Sequence, residues 1–384
     1  CQTTVPMNNQ ILLIQILRNH NLIDQLTIKE WELIIRQARS SGLLAHLYLL
    51  TKERGDITTI PPQALAHMAS AFIVSSRQKN AVLNEIDHLL TTFNTSKINL
   101  ILLKGAAYIA SNLKAGEGRL LSDIDILVPQ NILPVAEKAL TLNGWFCHHH
   151  DEYDERYYRQ WMHEIPPLTH VMRQSSLDVH HTILPPTAKY QPDPKKLLDC
   201  AIKIEGENSY TLSAEDMVIH SATHLFHEGE FNHGLRDLVD IATLLNELSE
   251  RNARFWVRLS PRASELDLSR PLYYALRYAE KILGITVPRE VKRHLNHAKP
   301  FASISLLMDF LFSRALIPNH TSCDRYLSGF ARWVLYIRSH HLKMPFYLLI
   351  PHLIRKAWKG RFNETNDTSK MEAHNADDIR KEAT

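Results

Sequence analysis

The stretch Arg119-Leu-Leu-Ser-Asp-Ile-Asp-Ile-Leu-Val128 places two acidic residues, Asp123 and Asp125, two positions apart in an otherwise mostly apolar run. Side chains at positions i and i+2 of a β-strand point to the same face, so the two carboxylates are predicted to lie side by side at one end of a strand. Like charges at that spacing repel, and a divalent cation between them is the usual way for such a pair to stay ionised. The stretch therefore predicts a strand, Ser122 to Val128, that carries a metal site.

A second strand is indicated upstream, in the almost wholly apolar run Ile98-Asn-Leu-Ile-Leu-Leu103, which ends at Lys104-Gly105. A short helix over Ala106–Leu113 and a loop at Gly116–Gly118 are expected to connect the two strands. Because glycine has no Cβ, Gly105 is suited to a turn at which the backbone is closely approached.

Downstream, Pro134 to Leu142 reads as a helix that Gly144 closes with a positive φ. Two more strands are predicted over Leu168–Met172 and Leu177–Ile183, with a hairpin turn at Gln174–Ser176. The second of them carries Asp178, a third acidic residue.

Helical spacing of apolar residues dominates both flanks of this α/β unit. Pro61-Pro62 is predicted to begin a long helix toward Thr92. We divide the chain into a helical N-terminal region (residues 1–95), an α/β core (96–190), a helical C-terminal region (191–362) and a polar tail (363–384), which we predict to be disordered. The fold class expected is α+β, with a mixed sheet flanked by helices.

Composition limits the protein to ordinary globular classes. The 384 residues are 45% hydrophobic and 22% charged, with a net charge of +3, so a polyanionic partner would need a local basic patch. Four scattered cysteines without a CxxC pair suit a reducing compartment, and no apolar run is long enough to span a bilayer. We expect a cytoplasmic protein without an integral membrane segment. Lipid modification at Cys1 is the minor alternative.

The chain resembles the nucleotidyltransferase fold of the DNA polymerase beta-like superfamily in three motifs. They are the Lys104-Gly105 turn, Arg119-x-x-Ser-Asp-Ile-Asp125 and Leu177-Asp-Val-His180. Within that superfamily they are similar to a family of bacterial proteins known only as uncharacterised nucleotidyltransferases. The resemblance is densest over Ile98–Ile183 and extends more loosely to His220–Leu245. It implies a metal-dependent transfer of a nucleoside monophosphate from an NTP, such as ATP, to an acceptor hydroxyl, with release of pyrophosphate.

The resemblance also implies roles for individual residues. Asp123 and Asp125 match the paired metal ligands, and Asp178 matches a third carboxylate that helps to activate the attacking hydroxyl. Three carboxylates can hold two Mg²⁺ ions, or Mn²⁺ in their place. The positive charges of Lys104 and Arg119 suit a triphosphate, as does the backbone at Gly105. Ser122 joins this nucleotide-binding set as a hydrogen-bond donor rather than a nucleophile.

One departure from the superfamily pattern keeps a second function open. Ala106 follows Gly105 where relatives often carry a serine, so the hydroxyl that would bind phosphate is missing. The chain could therefore bind nucleotides without turnover, as a regulatory or scaffold protein. The acceptor is also open, as a small molecule, a tRNA end or a protein, and so is the oligomeric state.

Histidine supports a third alternative, a metal-dependent hydrolase that uses His180, His220 and His224 with Asp178. His220 and His224, four residues apart, would share a helix face as zinc ligands do, although interhelical hydrogen bonding is the expected role. A further cluster is His148–His150.

Two structural expectations concern the C-terminal region. Arg236 and Asp240, also four apart, are predicted to form an ion pair. The cationic and aromatic segment from Arg332 to Arg361 is predicted to contain a final helix that packs Trp333 and Tyr336 inward, rather than a phosphate- or membrane-binding surface.

Overall fold

The computed structural model describes residues 11–55, 57–147, 158–206, 208–227 and 229–344. The predictions made for Cys1, for His148–His150, for the segment after residue 344 and for the tail lie outside these residues. Within the described part, a mixed sheet with flanking helices lies between helical N- and C-terminal regions, so the predicted fold class is confirmed.

The N-terminal region is helical, as predicted. Its α-helices are α1 (Leu12–Arg18), α2 (Ile28–Ser40), α3 (Leu44–Glu53) and α4 (Pro62–Thr95). Thr27 and Glu30 form a reciprocal capping box at the start of α2, which satisfies backbone N–H groups that the first helical turn leaves unpaired. The long α4 begins at the proline pair, where a missing N–H and a fixed φ suit the first helical turn.

Seven strands form one mixed sheet in the order β3-β4-β5-β2-β1-β7-β6. The strands are β1 (Ile101–Leu102), β2 (Ile124–Leu127), β3 (Trp145–Cys147), β4 (Leu168–His170), β5 (Ser176–His180), β6 (Ile202–Lys203) and β7 (Tyr210–Thr211). At its centre β2 runs antiparallel to β1 and parallel to β5. The helices of this part are α5 (Lys104–Ala110), α6 (Leu133–Leu142) and α7 (Pro194–Asp199). Helix α4 packs against α5 and α6, and α5 packs against β2, so the N-terminal region is tied directly to the sheet.

The C-terminal region is built around α8 (Ala214–His227), which packs against α5 and against four of the helices that follow it. The helices that follow are α9 (Gly234–Arg251), α10 (Phe255–Glu265), α11 (Ser269–Tyr278), α12 (Arg289–His294), α13 (Ala302–Ala315) and α14 (Ser328–Lys343). Asp216 of α8 is fully buried and accepts hydrogen bonds of 2.7 and 2.8 Å from Arg262 of α10. None of the described helices is both long and apolar enough to cross a membrane.

The strands differ from their predicted extents. The four predicted strands are present but shorter, and β3, β6 and β7 were not predicted. These three have only two or three residues each, too few for an alternating pattern to show. Because β6 and β7 extend the sheet beyond residue 190, the fold of the core uses residues assigned to the C-terminal region. The division into domains stays a prediction.

Two side-chain predictions for the C-terminal region are wrong. Arg236 contacts its neighbour Asp237, at 2.9 Å, and the partner of Asp240 is Arg119. Trp333 is 58% exposed, because α14 turns Ala331 and Leu335 toward the core instead.

An ion pair between a buried carboxylate and an exposed arginine joins α4 to the turn between β4 and β5. The carboxylate of Glu85 is 6% exposed, and it accepts hydrogen bonds of 2.6–3.0 Å from Arg173 and of 2.7 Å from the Ser175 hydroxyl. Burial opposes ionisation of Glu85, but these donors outweigh it and lower the pKa of Glu85. The pair therefore fixes the hairpin that ends in β5 against the long helix.

Replacing Glu85 tests this link. Glu85→Ala removes the charge-assisted hydrogen bonds from Arg173 and Ser175, and we expect the free energy of unfolding to fall by about 1.5–3 kcal/mol in urea titrations. Asp87→Ala, an exposed acidic residue on the same helix, is the matched control and should change stability by less than about 0.5 kcal/mol. Equal effects of the two substitutions would contradict the proposed role of the pair.

Candidate active site

The parallel pairing of β2 and β5 brings the acidic residues of the two strands together. In this register Asp125 lies opposite Asp178, and Leu127 lies opposite His180. Since paired residues of neighbouring strands project to the same face, Asp125, Asp178 and His180 share one face of the sheet. Asp123, two residues before Asp125, lies at the entry to β2.

Lys104 turns its side chain onto Asp125. It is the first residue of α5 and has a φ of +46°, a left-handed conformation that is costly for a lysine. The preceding Leu103 N–H donates to the Asp125 carbonyl oxygen at 2.9 Å, which ties the turn to β2. Lys104 Nζ donates to Asp125 Oδ1 at 2.8 Å. Burial disfavours the charged ammonium, but Asp125 outweighs this effect and raises the pKa of Lys104.

Asp125 is the best-compensated carboxylate of the site. It is 5% exposed, and its Oδ1 lies 2.8 Å from Lys104 Nζ and 2.8 Å from His180 Nε2. Burial alone would favour the neutral acid, yet Lys104 and His180 hold the pKa of Asp125 well below its usual range. Asp125 is therefore ionised at neutral pH.

Asp178 and Asp123 lack such compensation. Burial, with the neighbouring Glu164, Asp125 and Asp123 carboxylates, raises the pKa of Asp178 to about 7. Its Oδ1 is buried and accepts no hydrogen bond. Burial and then Asp125 also raise the pKa of Asp123, although the Ser122 hydroxyl donates a hydrogen bond to it. This face of the sheet thus holds more negative charge than its own cations neutralise, and a divalent cation would suit it.

The loop before β2 packs tightly against α5. A Cβ on Gly105 would lie 2.9 Å from Leu121 Cδ2 and 3.0 Å from Arg119 Nε, so glycine is needed for this approach. Leu121 N in turn donates to Gln78 Oε1 of α4 at 2.9 Å. The contact of the Gly105 backbone with a phosphate stays a prediction.

Arg119 points toward the C-terminal region. Its guanidinium pairs with Asp240 and lies 3.8 Å from Asp237, both on α9. The structure thus gives Arg119 a role in holding α9 to the core, while its contact with a triphosphate stays a prediction.

A family model described as an uncharacterised nucleotidyltransferase matches residues 28–284. The chain belongs to this family. The match covers more than the α/β core, from α2 to the turn after α11, and includes every residue of the site described above. Comparisons with curated proteins and with solved structures found no match.

Two residues beside these aspartates escaped the sequence analysis. In the described residues, His163, Glu164 and His180 form a group whose potential metal-ligand atoms all lie within 4.8 Å of one another. His163 and Glu164 precede β4 in a segment without strand periodicity, which an isolated bridge between Glu164 and His180 joins to the end of β5. No local pattern signals this contact, because it depends on the pairing of two separate segments.

Helix α8 places the buried His220 and the partly buried His224 near this site. Burial and the nearby Lys104 lower the pKa of His220 to about 3, and Lys104 and burial hold that of His224 well below its usual value. Both imidazoles are therefore neutral near Lys104 and Asp125. Neither belongs to the three-residue group above, so the ligand set expected for a hydrolase, His180, His220 and His224 with Asp178, is not assembled as one cluster among the described residues.

The raised pKa of Asp178 predicts a pH dependence of the metal-free protein. With an ordinary value of 3.8 and a folded-state value of about 7, folded Asp178 retains a proton that the unfolded chain has released in this window. The folded state then binds more protons, so stability falls as the pH rises from about 4 to 7.

Asp178→Asn removes this dependence. In EDTA, the free energy of unfolding of the wild type should be lower at pH 8 than at pH 5. We expect Asp178→Asn to reduce this difference by on the order of 1–2 kcal/mol. Asp199→Asn, at an exposed aspartate of α7, should leave the pH profile as it is. A profile that Asp178→Asn does not alter would contradict the assigned pKa.

Proposed function

We propose that the protein is a metal-dependent enzyme that transfers a nucleoside monophosphate from an NTP to an acceptor hydroxyl and releases pyrophosphate. The observation that carries the proposal is the pairing of Asp125 with Asp178 on adjacent parallel strands, beside Lys104, within the segment that matches the nucleotidyltransferase family. A fixed pair of carboxylates next to a lysine supplies the groups that phosphoryl transfer needs, namely cation ligands and a positive charge for phosphate oxygens.

The donor set supports magnesium as the cofactor. Asp123, Asp125 and Asp178 offer oxygen ligands, which hard cations prefer, and the buried Asp178 Oδ1 has no other partner. When bound there, two Mg²⁺ ions, or Mn²⁺, would neutralise charge on the phosphates and on the attacking oxygen. Cation binding would also favour the ionised form of Asp178, which the protein alone disfavours.

Each residue of the site has a separate task in this proposal. Lys104 neutralises Asp125 when no nucleotide is bound, and its three ammonium protons suit donation to phosphate oxygens. His180 holds Asp125 in place through Nε2. Asp178, which would be ionised beside a bound cation, is suited to accept the proton of the acceptor hydroxyl.

The alanine that follows Gly105 leaves no gap in the turn. Ala106 is 1% exposed and packs into the core, so phosphate binding would fall to backbone N–H groups at the start of α5 and to Lys104. We therefore expect the protein to bind NTP weakly when no acceptor is bound.

Labelled substrates test the reaction and identify the acceptor class. The protein is incubated with each α-labelled NTP, Mg²⁺ and a cell extract, and the label is then sought in RNA, protein and small molecules while pyrophosphate is measured. Label in one fraction together with stoichiometric pyrophosphate supports transfer. NTP binding without pyrophosphate release in any extract would favour the scaffold alternative and overturn the proposal.

Asparagine substitutions test the assigned carboxylates. Asp125→Asn and Asp178→Asn should each lower kcat by about 10²- to 10⁴-fold, because they remove a cation ligand or the base while leaving side-chain volume nearly unchanged. Asp199→Asn should retain full activity, and thermal unfolding should show that all three variants are folded. Unchanged turnover in Asp125→Asn would contradict the site assignment.

A further inference from the structure

His163 and Glu164 lie at the edge of the acidic face and have no task in nucleotidyl transfer as proposed above, and His180 uses only its Nε2 there. His180 Nδ1 lies 3.4 Å from Glu164 Oε2, and His163 Nε2 lies 3.9 Å from the same oxygen. Four ligands around a tetrahedral ion with bonds of about 2.1 Å stand roughly 3.4 Å apart. The two distances to Glu164 Oε2 are close to this value, and the potential ligand atoms of all three side chains lie within 4.8 Å of one another.

The hydrogen bond of His180 fixes which of its nitrogens is available. Nε2 lies 2.8 Å from Asp125 Oδ1, and a carboxylate oxygen accepts hydrogen bonds, so Nε2 carries the proton and donates it. In the neutral ring Nδ1 then presents a lone pair toward Glu164. His180 is 2% exposed, and its Nδ1 is buried without a hydrogen-bond partner. A lone pair and a carboxylate face each other here, and a cation between them would satisfy both.

The surrounding charges also favour a cation. Among the described residues, Glu164 and the three aspartates provide four carboxylates, and the ammonium groups of Lys104 and Lys343 lie near them. Since Lys104 is paired with Asp125, the region keeps an excess of negative charge when the carboxylates are ionised.

The two ligand segments are held rigidly by backbone pairing. His181 N donates to the His163 carbonyl oxygen at 2.9 Å, and Ile165 N donates to the Val179 carbonyl oxygen at 3.1 Å. The His163 and Glu164 side chains are each 16% exposed, which leaves a path from solvent. The site is therefore preformed and accessible.

We propose that His163, Glu164 and His180 bind a borderline divalent transition-metal ion such as Zn²⁺ or Co²⁺, at a site separate from the magnesium-binding aspartates. Two imidazoles and one carboxylate select such ions over Mg²⁺, which prefers oxygen ligands alone. His180 binds through Nδ1 and donates its Nε2 proton to Asp125, an arrangement of carboxylate, histidine and metal that fixes the ring and raises its basicity. The ion thereby positions Asp125.

Cobalt titration of the EDTA-treated full-length protein, in excess Mg²⁺, tests the site. We expect one Co²⁺ to bind per chain and to stay bound in the presence of excess Mg²⁺. Its visible absorption spectrum should be typical of nitrogen ligands in four or five coordination. His163→Gln and Glu164→Gln should each weaken binding of this Co²⁺ by about 10- to 100-fold or more. His88→Gln, an exposed histidine of α4, should bind as the wild type does.

Further measurements separate this site from the proposed active site. Asp178→Asn should retain Co²⁺ binding while losing Mg²⁺-dependent transfer. Co²⁺ should raise the Tm of the wild type but not of His163→Gln, whose Tm in EDTA should match that of the wild type. The proposal is overturned if Mg²⁺ displaces the cobalt, if the wild-type spectrum is that of six oxygen ligands, or if a folded His163→Gln or Glu164→Gln binds Co²⁺ unchanged.

Discussion

Asp125 carries a negative charge into the centre of the sheet, and the structure around it is arranged to keep that charge. Lys104 reaches it from the start of α5, and His180 reaches it from the end of β5. A buried carboxylate without such partners would take up a proton or destabilise the fold. The start of α5 and the end of β5 are therefore both held to β2 through one atom, Asp125 Oδ1. The positive φ of Lys104 is understandable in this setting, because the local strain is offset by the ion pair.

The same arrangement divides the acidic residues into two kinds. Asp125 is compensated by the protein itself, whereas Asp178 and Asp123 have raised pKa values because they lack cations of their own. A site that neutralised every carboxylate internally would have no affinity for magnesium. Leaving Asp178 uncompensated costs stability at neutral pH in the metal-free protein, and a bound cation would restore it. The fold thus keeps one rigid carboxylate and two that need an external charge.

The outline of this site was readable in the sequence because its main signals are local. Alternation along β2 placed Asp123 and Asp125 on one face, and the apolar run before Lys104 marked the strand that pairs with it. The pairing that brings His163 and Glu164 to β5 is not local, and no spacing rule predicts it. Arg119 shows the same limit, since its partners on α9 follow it by more than one hundred residues. The prediction for Trp333 failed for another reason: an amphipathic helix shows that one face is buried, but aromatic residues alone do not identify which face.

The contacts of Asp125 also connect the two proposed cation sites. His180 touches Asp125 through one nitrogen and faces Glu164 with the other, so an ion at His163, Glu164 and His180 fixes the tautomer that donates to Asp125. A transition metal on this imidazole adds positive charge near the aspartates, and its carboxylate ligand, Glu164, offsets part of that charge. Whether such an ion lies between His180 and Glu164 therefore affects how strongly the aspartates attract magnesium, and the link passes through a single imidazole ring.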